Sequence, residues 1–254
     1  MRGGRLTRSR SHATSRRSVV AVLGALLGLG VLGSSLPAAA AAAAGSSVRN
    51  PEAILVAAEK ATGNAASFTC RGTATSQHTS IKIDVAVGRS MAGGTLQYSG
   101  NATTLIRRIF LLVYAKATQA FLMLQGMSHD QAELLSNHWF EIPSSDASDY
   151  NGLALFLSPK SLAQGLLPPI APGDVTSSGR SNLNGQPVYV IGGTFAHLKA
   201  TMYVAAHGRP YVLRIVEPSR SDGGTINFTA YGKPVKLGVP KNVISGPSSG
   251  GTST

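Results

Sequence analysis

The sequence predicts an α+β domain in which helices pack on one face of an antiparallel β-sheet. Apolar and polar residues alternate with a period of two in several short segments, which is typical of strands that bury one face. A stretch of helix-forming residues separates two groups of such segments, without the regular strand–helix alternation of doubly wound enzymes. Neither an internal repeat nor a second domain boundary is evident, so we expect one domain.

Residues 1–44 have the three parts of a signal segment. Six arginines and no acid come first, an apolar run over 19–33 follows, and small residues lead to Ala44. A basic start, an apolar middle and a small-residue exit are typical of a cleaved export signal. We therefore expect an exported protein, cleaved most naturally after Ala44, with its domain over 45–244.

The export route and the cleavage are both left open by this segment. Arg16-Arg17 resembles a twin-arginine signal, although Val-Val stands where Phe-Leu usually follows, so the general secretory route is an equal alternative. The apolar run also approaches the roughly 18–20 residues of a spanning helix, so an uncleaved membrane anchor is a further alternative. The glycines and the alanine-rich exit favour cleavage.

The charge of the chain changes once that segment is set apart. The whole chain carries +12, but six of its 23 basic residues and none of its 11 acids lie in the segment, which leaves +6. The longest basic run in the remainder is Arg107-Arg108. Because the basic residues are spread so evenly, we expect no nucleic-acid partner. It is compatible with weak association with an anionic membrane or cell-wall surface.

The first third of the domain is expected to hold one helix and then strands. Pro51 suits the first turn of a helix over 51–62, and Gly63 suits its end. In the second strand, isoleucines and valines at odd positions alternate with Lys82, Asp84 and Ala86. The predicted strands cover 67–75, 81–87, 93–98 and two segments within 103–116.

The middle third changes to helix-forming residues. Ser128 can cap the second helix, and Pro159 interrupts the last apolar segment. The predicted elements are helices over 119–126 and 130–137, a strand over 138–143, and two short helices within 151–167.

The last third predicts an antiparallel meander. A strand over 174–182 leads into Asn184-Gly185, a strong hairpin signal, and later strands alternate in the same way. Unbroken alternation over 211–216 places Tyr211 and Ile215 on one face and Val212 on the other. The Gly-, Ser-, Pro- and Thr-rich tail, 245–254, is expected to be disordered.

Catalytic and metal-binding residues are not predicted. A dinucleotide-type pattern at 28–33 lies inside the signal segment, and a nucleophile-elbow pattern at 246–250 lies in the tail with no histidine after it. The five histidines beyond the signal segment have no zinc-ligand spacing. Cys70, the single cysteine, is expected to be buried and inert, the alternative being a thiol free to pair. We expect no enzyme, no cofactor and no metal.

The middle helices are more apolar than a helix with one exposed face requires. They either bury fully against the sheet or line an apolar cavity in which leucine and methionine adapt to an alkyl chain. The residues that would line such a cavity are Leu122, Leu124, Leu153, Phe156, Leu157, Leu162 and Leu166.

Five segments together resemble one protein family by their order and spacing. They are Val-Tyr-Ala-Lys at 113–116, Asn-His-Trp-Phe-Glu-Ile-Pro at 137–143, Leu-Asn-Gly-Gln-Pro-Val-Tyr at 183–189, the run over 202–215, and Phe-Thr-Ala-Tyr-Gly at 228–232 with Pro240 behind it. This pattern resembles the LppX/LprG-type envelope lipoproteins of actinobacteria, which share a LolA-like half-barrel. The chain departs from the family because no lipobox cysteine follows the apolar run.

The resemblance implies a strongly curved antiparallel sheet wrapped around a few helices, with an apolar cavity for the acyl chains of a lipid or lipoglycan. It implies a monomeric lipid-binding or lipid-carrying protein of the cell envelope with no catalytic residues. The missing lipobox cysteine implies a soluble or signal-anchored relative. An interaction or sensor module with a closed interior is the second hypothesis, and an undetected hydrolase, which would need a His–acid–Ser cluster, is the third.

Overall fold

The computed structural model describes residues 50–76, 79–142, 157–167, 170–195, 198–218 and 223–244. Three predicted parts of the chain lie outside these residues: the signal segment, the tail, and the first of the two short helices predicted within 151–167.

Four α-helices and twelve strands make up the described part of the chain. The helices are α1 (Pro51–Gly63), α2 (Gln119–Leu124), α3 (His129–Leu135) and α4 (Pro159–Leu166). The strands are β1 (Ser67–Ser76), β2 (Thr79–Gly88), β3 (Met91–Tyr98), β4 (Thr103–Ile109), β5 (Leu112–Ala117), β6 (Trp139–Ile142), β7 (Val175–Leu183), β8 (Gln186–Phe195), β9 (Leu198–Ala205), β10 (Val212–Glu217), β11 (Gly223–Thr229) and β12 (Val243–Ile244).

All twelve strands belong to one curved, unclosed sheet in the order β12-β6-β5-β4-β3-β2-β1-β11-β10-β9-β8-β7. The order consists of two meanders, β1–β6 and β7–β11, which meet where β1 pairs antiparallel with β11. Every pairing is antiparallel except that of β12 with β6, which is parallel. The predicted α+β class with a curved sheet and a few helices is confirmed, with this one parallel pair added.

One face of the sheet carries the core, and we call it the inner face. On β2 the isoleucines and valines at odd positions from Ile81 to Val87 are buried, whereas Lys82 and Asp84 on the outer face are exposed. Gly72 of β1 points inward where β11 approaches so closely that a Cβ atom there would lie 2.0 Å from the backbone oxygen of Thr225. Only glycine permits this approach of the two meanders.

The helices pack in two pairs. Helix α1 packs against α4 and also contacts β7, β9 and β10, while α2 packs against α3 and contacts β4. The contact between α1 and α4 is close because small residues form it: a Cβ atom on Gly63 would lie 3.7 Å from that of Ala163. Each helix pair therefore covers its own part of the sheet.

The predicted alternation over 211–216 is wrong. Val212 and Ile215 are both buried, although a regular strand would place them on opposite faces. The pairing of β10 with β9 shifts register between Val212 and Arg214, so an extra residue, Leu213, interrupts the alternation. A β-bulge of this kind redirects the side chains on one side of it.

After β11 the chain crosses the outer face as residues 231–242, which we call the strap. The Ser67 hydroxyl donates to the Lys233 carbonyl (2.6 Å), and Arg107 Nη1 donates to the Gly238 carbonyl (3.0 Å). A Cβ atom on Gly93 would lie 2.9 Å from Leu237 Cδ1, so the bare backbone of β3 provides the room for the strap. The strap then leads into β12 beside β6. Among the described helices, none is long and apolar enough to cross a membrane.

Candidate functional site

The inner face of the sheet and the helices against it form one continuous apolar interior. Within the described segments, the buried polar side chains are Thr62, Ser67 and Thr104, and no charged side chain is buried among them. Thr62 Oγ1 accepts a hydrogen bond from the Val212 amide at 3.1 Å, so its polar atom is satisfied. An interior of this composition has affinity for apolar groups and offers no charge to a polar ligand.

Three of the seven predicted lining residues belong to this interior. Leu122, Leu157 and Leu162 are 1–2% exposed, and Leu166 is partly buried and packs against the same core. Leu124 lies elsewhere: it is 55% exposed at the last turn of α2. Leu153 and Phe156 lie outside the described residues.

Leu157 is held at the start of α4 by its backbone. Arg108 Nε donates a hydrogen bond of 2.6 Å to the Leu157 carbonyl. The next residue, Ser158, caps the helix by accepting from the Ser161 amide at 3.0 Å, and Pro159 occupies the first turn. These contacts set the direction of α4, whose Leu162 then faces the interior.

Leu122 is positioned by a second capped helix. The Thr118 hydroxyl accepts from the Phe121 amide at 3.3 Å, which starts α2 at Gln119. The Phe121 ring packs against the Tyr98 ring with centroids 5.5 Å apart. Helix α2 therefore buries two consecutive side chains, Phe121 and Leu122, and leaves the following two exposed.

Burial holds three titratable side chains, Cys70, Tyr98 and Tyr231, in their neutral forms. Burial, with a smaller contribution from Asp84, raises the pKa of Cys70 to about 12, so its thiol keeps its proton. Burial also raises the pKa of Tyr98 and of Tyr231. Cys70 is buried, as predicted, and forms no disulfide.

A concavity of about 450 Å³ lies at one end of strands β8–β11, and no pattern in the sequence predicts it. Its lining comprises Gln186, Ala205, His207, Arg209, Tyr211, Leu213, Phe228, Thr229, Ala230 and Tyr231. Aromatic faces and two basic side chains can contact a ligand here, but the lining holds no carboxylate and no cysteine. Tyr211 and Tyr231 meet here only through the long-range pairing of β9, β10 and β11, whose register the sequence pattern does not indicate.

The histidines of the described segments do not gather into a metal site. His129 lies 3.7 Å from Asp130 and 3.9 Å from Glu133, all three exposed on α3. Within the same segments, no three His, Cys, Asp or Glu side chains are placed to share a metal ion.

No protein-family model matches the sequence, and no curated protein matches it as a relative. The solved structures to which this chain is similar include two mycobacterial proteins. LprF from Mycobacterium bovis has a TM-score of 0.51 at 17% identity, covering 77% of this chain and 99% of its own. The Mycobacterium tuberculosis lipoprotein LppX has a TM-score of 0.47 at 16% identity, covering 74% of this chain and 100% of its own. The similarity to LprF confirms the LolA-like fold that the sequence resemblance implied.

Proposed function

We propose that this chain is an exported, non-catalytic protein of the bacterial cell envelope that binds or carries a lipid. Its ligand is an acyl lipid or lipoglycan, whose chains occupy the apolar space between the curved sheet and the helices. It acts as a monomer.

One observation carries the proposal: within the described segments, the interior between an unclosed sheet and two separate helix pairs is lined almost entirely by apolar side chains and holds no buried charge. Transfer of each acyl methylene from water into such a space contributes about 0.8 kcal/mol. Leu157, Leu162 and Leu166 lie on or beside one short helix, α4, which the Arg108 contact ties to the sheet. A shift of α4 away from the sheet would open space along these leucines.

An envelope interaction or sensor module on the same fold is the second candidate. Leu122, Leu157 and Leu162 are at most 2% exposed, because other protein atoms cover them. A closed interior of this kind favours a role that depends on the outer surface of the protein.

Native mass spectrometry of the protein recovered from its export route distinguishes the two candidates. The carrier predicts a stoichiometric acyl lipid that co-purifies and can be extracted and identified. An unliganded mass that stays unliganded after incubation with envelope lipids would establish the closed module.

Substitutions on α4 locate the binding space. We expect Leu166→Asp to abolish lipid uptake, because a carboxylate beside the acyl chain would have to be desolvated. Leu134→Asp is the matched control, since Leu134 is 74% exposed on α3. Leu157→Asp should also abolish uptake where it folds. Normal uptake by folded Leu166→Asp would show that this helix does not line the site.

A further inference from the structure

The turn between β4 and β5 presents three consecutive apolar side chains to solvent. Phe110 is 64% exposed, Leu111 86% and Leu112 46%. We call these three residues the β4–β5 tip. Two-residue hairpin turns usually carry Gly, Asn or Asp, which suit both the backbone and the solvent.

The backbone conformation at position 110 is one that a phenylalanine rarely adopts. Phe110 has φ +54°, the left-handed region in which a bulky residue is disfavoured. Of the seven non-glycine residues with positive φ in the described segments, five are asparagines. The chain thus uses asparagine at most such positions but a large aromatic residue at this one. Strain retained at an exposed position indicates that the side chain has a function.

The tip is held firmly by its neighbours. The Phe110 amide donates to the Ser90 carbonyl at 2.7 Å, which joins the tip to the β2–β3 turn. Arg108 donates to the carbonyls of Phe110, Gly88 and Arg89 at 3.1, 2.8 and 3.0 Å. The exposed side chains therefore project from a fixed base.

The base is basic. The β2–β3 turn contributes Arg89, and the strap passes beside it, with the side chain of Val235 against Gly88 and Lys236 exposed next to it. The strap carries three lysines and no acid. The outer-face acids of the neighbouring strands are Asp84 of β2, which is engaged by Arg71 at 2.8 Å, and Glu141 of β6, which lies opposite Tyr114.

We propose that the β4–β5 tip docks the protein on an anionic lipid bilayer, with Phe110 and Leu111 in the interfacial region and Arg89 and Lys236 on the headgroups. A convex tip of three residues is too small for a stable protein interface, which needs about 800 Å² per partner. Interfacial binding needs only a few inserted apolar side chains and adjacent cations. The inference does not depend on whether the interior carries a lipid.

A fluorescent side chain placed in the tip tests the inference. Trp139 is the only tryptophan, so Leu111→Trp in a Trp139→Phe background reports on the tip alone, whatever the N-terminal segment does. With vesicles containing phosphatidylglycerol we expect a blue-shifted emission and protection from an aqueous quencher. Both effects should be smaller at high salt, and smaller again when the vesicles contain phosphatidylcholine alone. Leu134→Trp in the same background is the control and should stay quenched. Equal quenching at the two positions would overturn the inference.

Vesicle co-sedimentation of the exported protein gives a second measurement. Phe110→Asn with Leu111→Ser should lower the partition onto anionic vesicles about tenfold, and Leu134→Ser should not. Asparagine suits the backbone of position 110, so the double variant should remain folded and separates docking from stability. Unchanged partition of the double variant would refute docking through the tip.

Discussion

The phenol rings of Tyr211 and Tyr231 lie parallel, with centroids 4.0 Å apart and 7° between their planes. The Tyr231 hydroxyl donates to the Val212 carbonyl, and its ring also packs on Phe68 with centroids 5.5 Å apart. Tyr231 thus joins the Ser67 contacts in fixing the start of the strap to the end of the sheet.

Truncation of Tyr231 should separate its packing from its hydrogen bond. We expect Tyr231→Ala to lower the free energy of unfolding by about 3–5 kcal/mol, the usual cost of removing a packed aromatic ring. Tyr231→Phe keeps the ring and should cost only about 1 kcal/mol, the net value of one hydrogen bond. Urea unfolding measures both, and equal losses would show that the hydroxyl dominates.

Thr62 links the end of α1 to β10 through a buried hydrogen bond from the Val212 amide. In Thr62→Val the shape is kept but the Val212 amide loses its acceptor, so we expect a loss of about 1–3 kcal/mol. Thr62→Ser keeps the hydroxyl and is the matched control. If serine and valine destabilise the protein equally, the bond to Val212 contributes nothing.

Cys70 should make stability fall in alkaline solution. The unfolded thiol loses its proton near pH 9.0, whereas the folded one keeps it up to about pH 12. Between about pH 9 and about pH 12 the unfolded chain therefore binds fewer protons than the folded one, and unfolding becomes easier as the pH rises through this range. From about pH 7 to about pH 9.5, Cys70→Ala should lose about 1 kcal/mol less stability than the wild type.

Two observations check the Cys70 prediction. The pH dependence of unfolding in urea should be shallower in Cys70→Ala, whatever the variant loses at neutral pH. The native thiol should also resist alkylation until the protein unfolds. Rapid alkylation of the native protein would contradict its burial.

Gly72 should not tolerate a side chain. A Cβ atom there would meet the Thr225 backbone, so Gly72→Ala must separate β1 from β11, and we expect a loss of about 3 kcal/mol. Gly179 of β7 has nothing within 4 Å of its Cβ position, and Gly179→Ala should be neutral or slightly stabilising. Thermal unfolding of the two variants gives the comparison, and similar melting temperatures would disprove the close approach.

The elements that the sequence predicted well are those specified by neighbouring residues. The alternation on β2 and the Asn184-Gly185 turn both depend on local side-chain chemistry, and the structure has both. The β10 bulge was missed because it arises from pairing with β9, and the strap was missed because its contacts lie on distant strands.

The candidate lining residues show the same limit. Leu122 and Leu124 share one apolar run, but α2 has only six residues, too few for a helical period to indicate which side is buried. The tertiary packing of Phe121 on Tyr98 makes that choice, and it exposes Leu124. The predicted leucines around Pro159 could be placed in the interior because Ser158 and Pro159 specify the helix start locally.

The first meander, β1–β6, lies between β11, which pairs with β1, and β12, which pairs with β6. Both flanking strands come from the C-terminal part of the chain and are therefore synthesised after the meander. Until residues 223–244 are in place, both β1 and β6 present unpaired backbone groups that can template pairing with another chain. The final segment of the chain therefore protects the first meander from aggregation. A chain truncated before the strap would retain most of its core yet leave the β6 edge open, with self-association as the consequence.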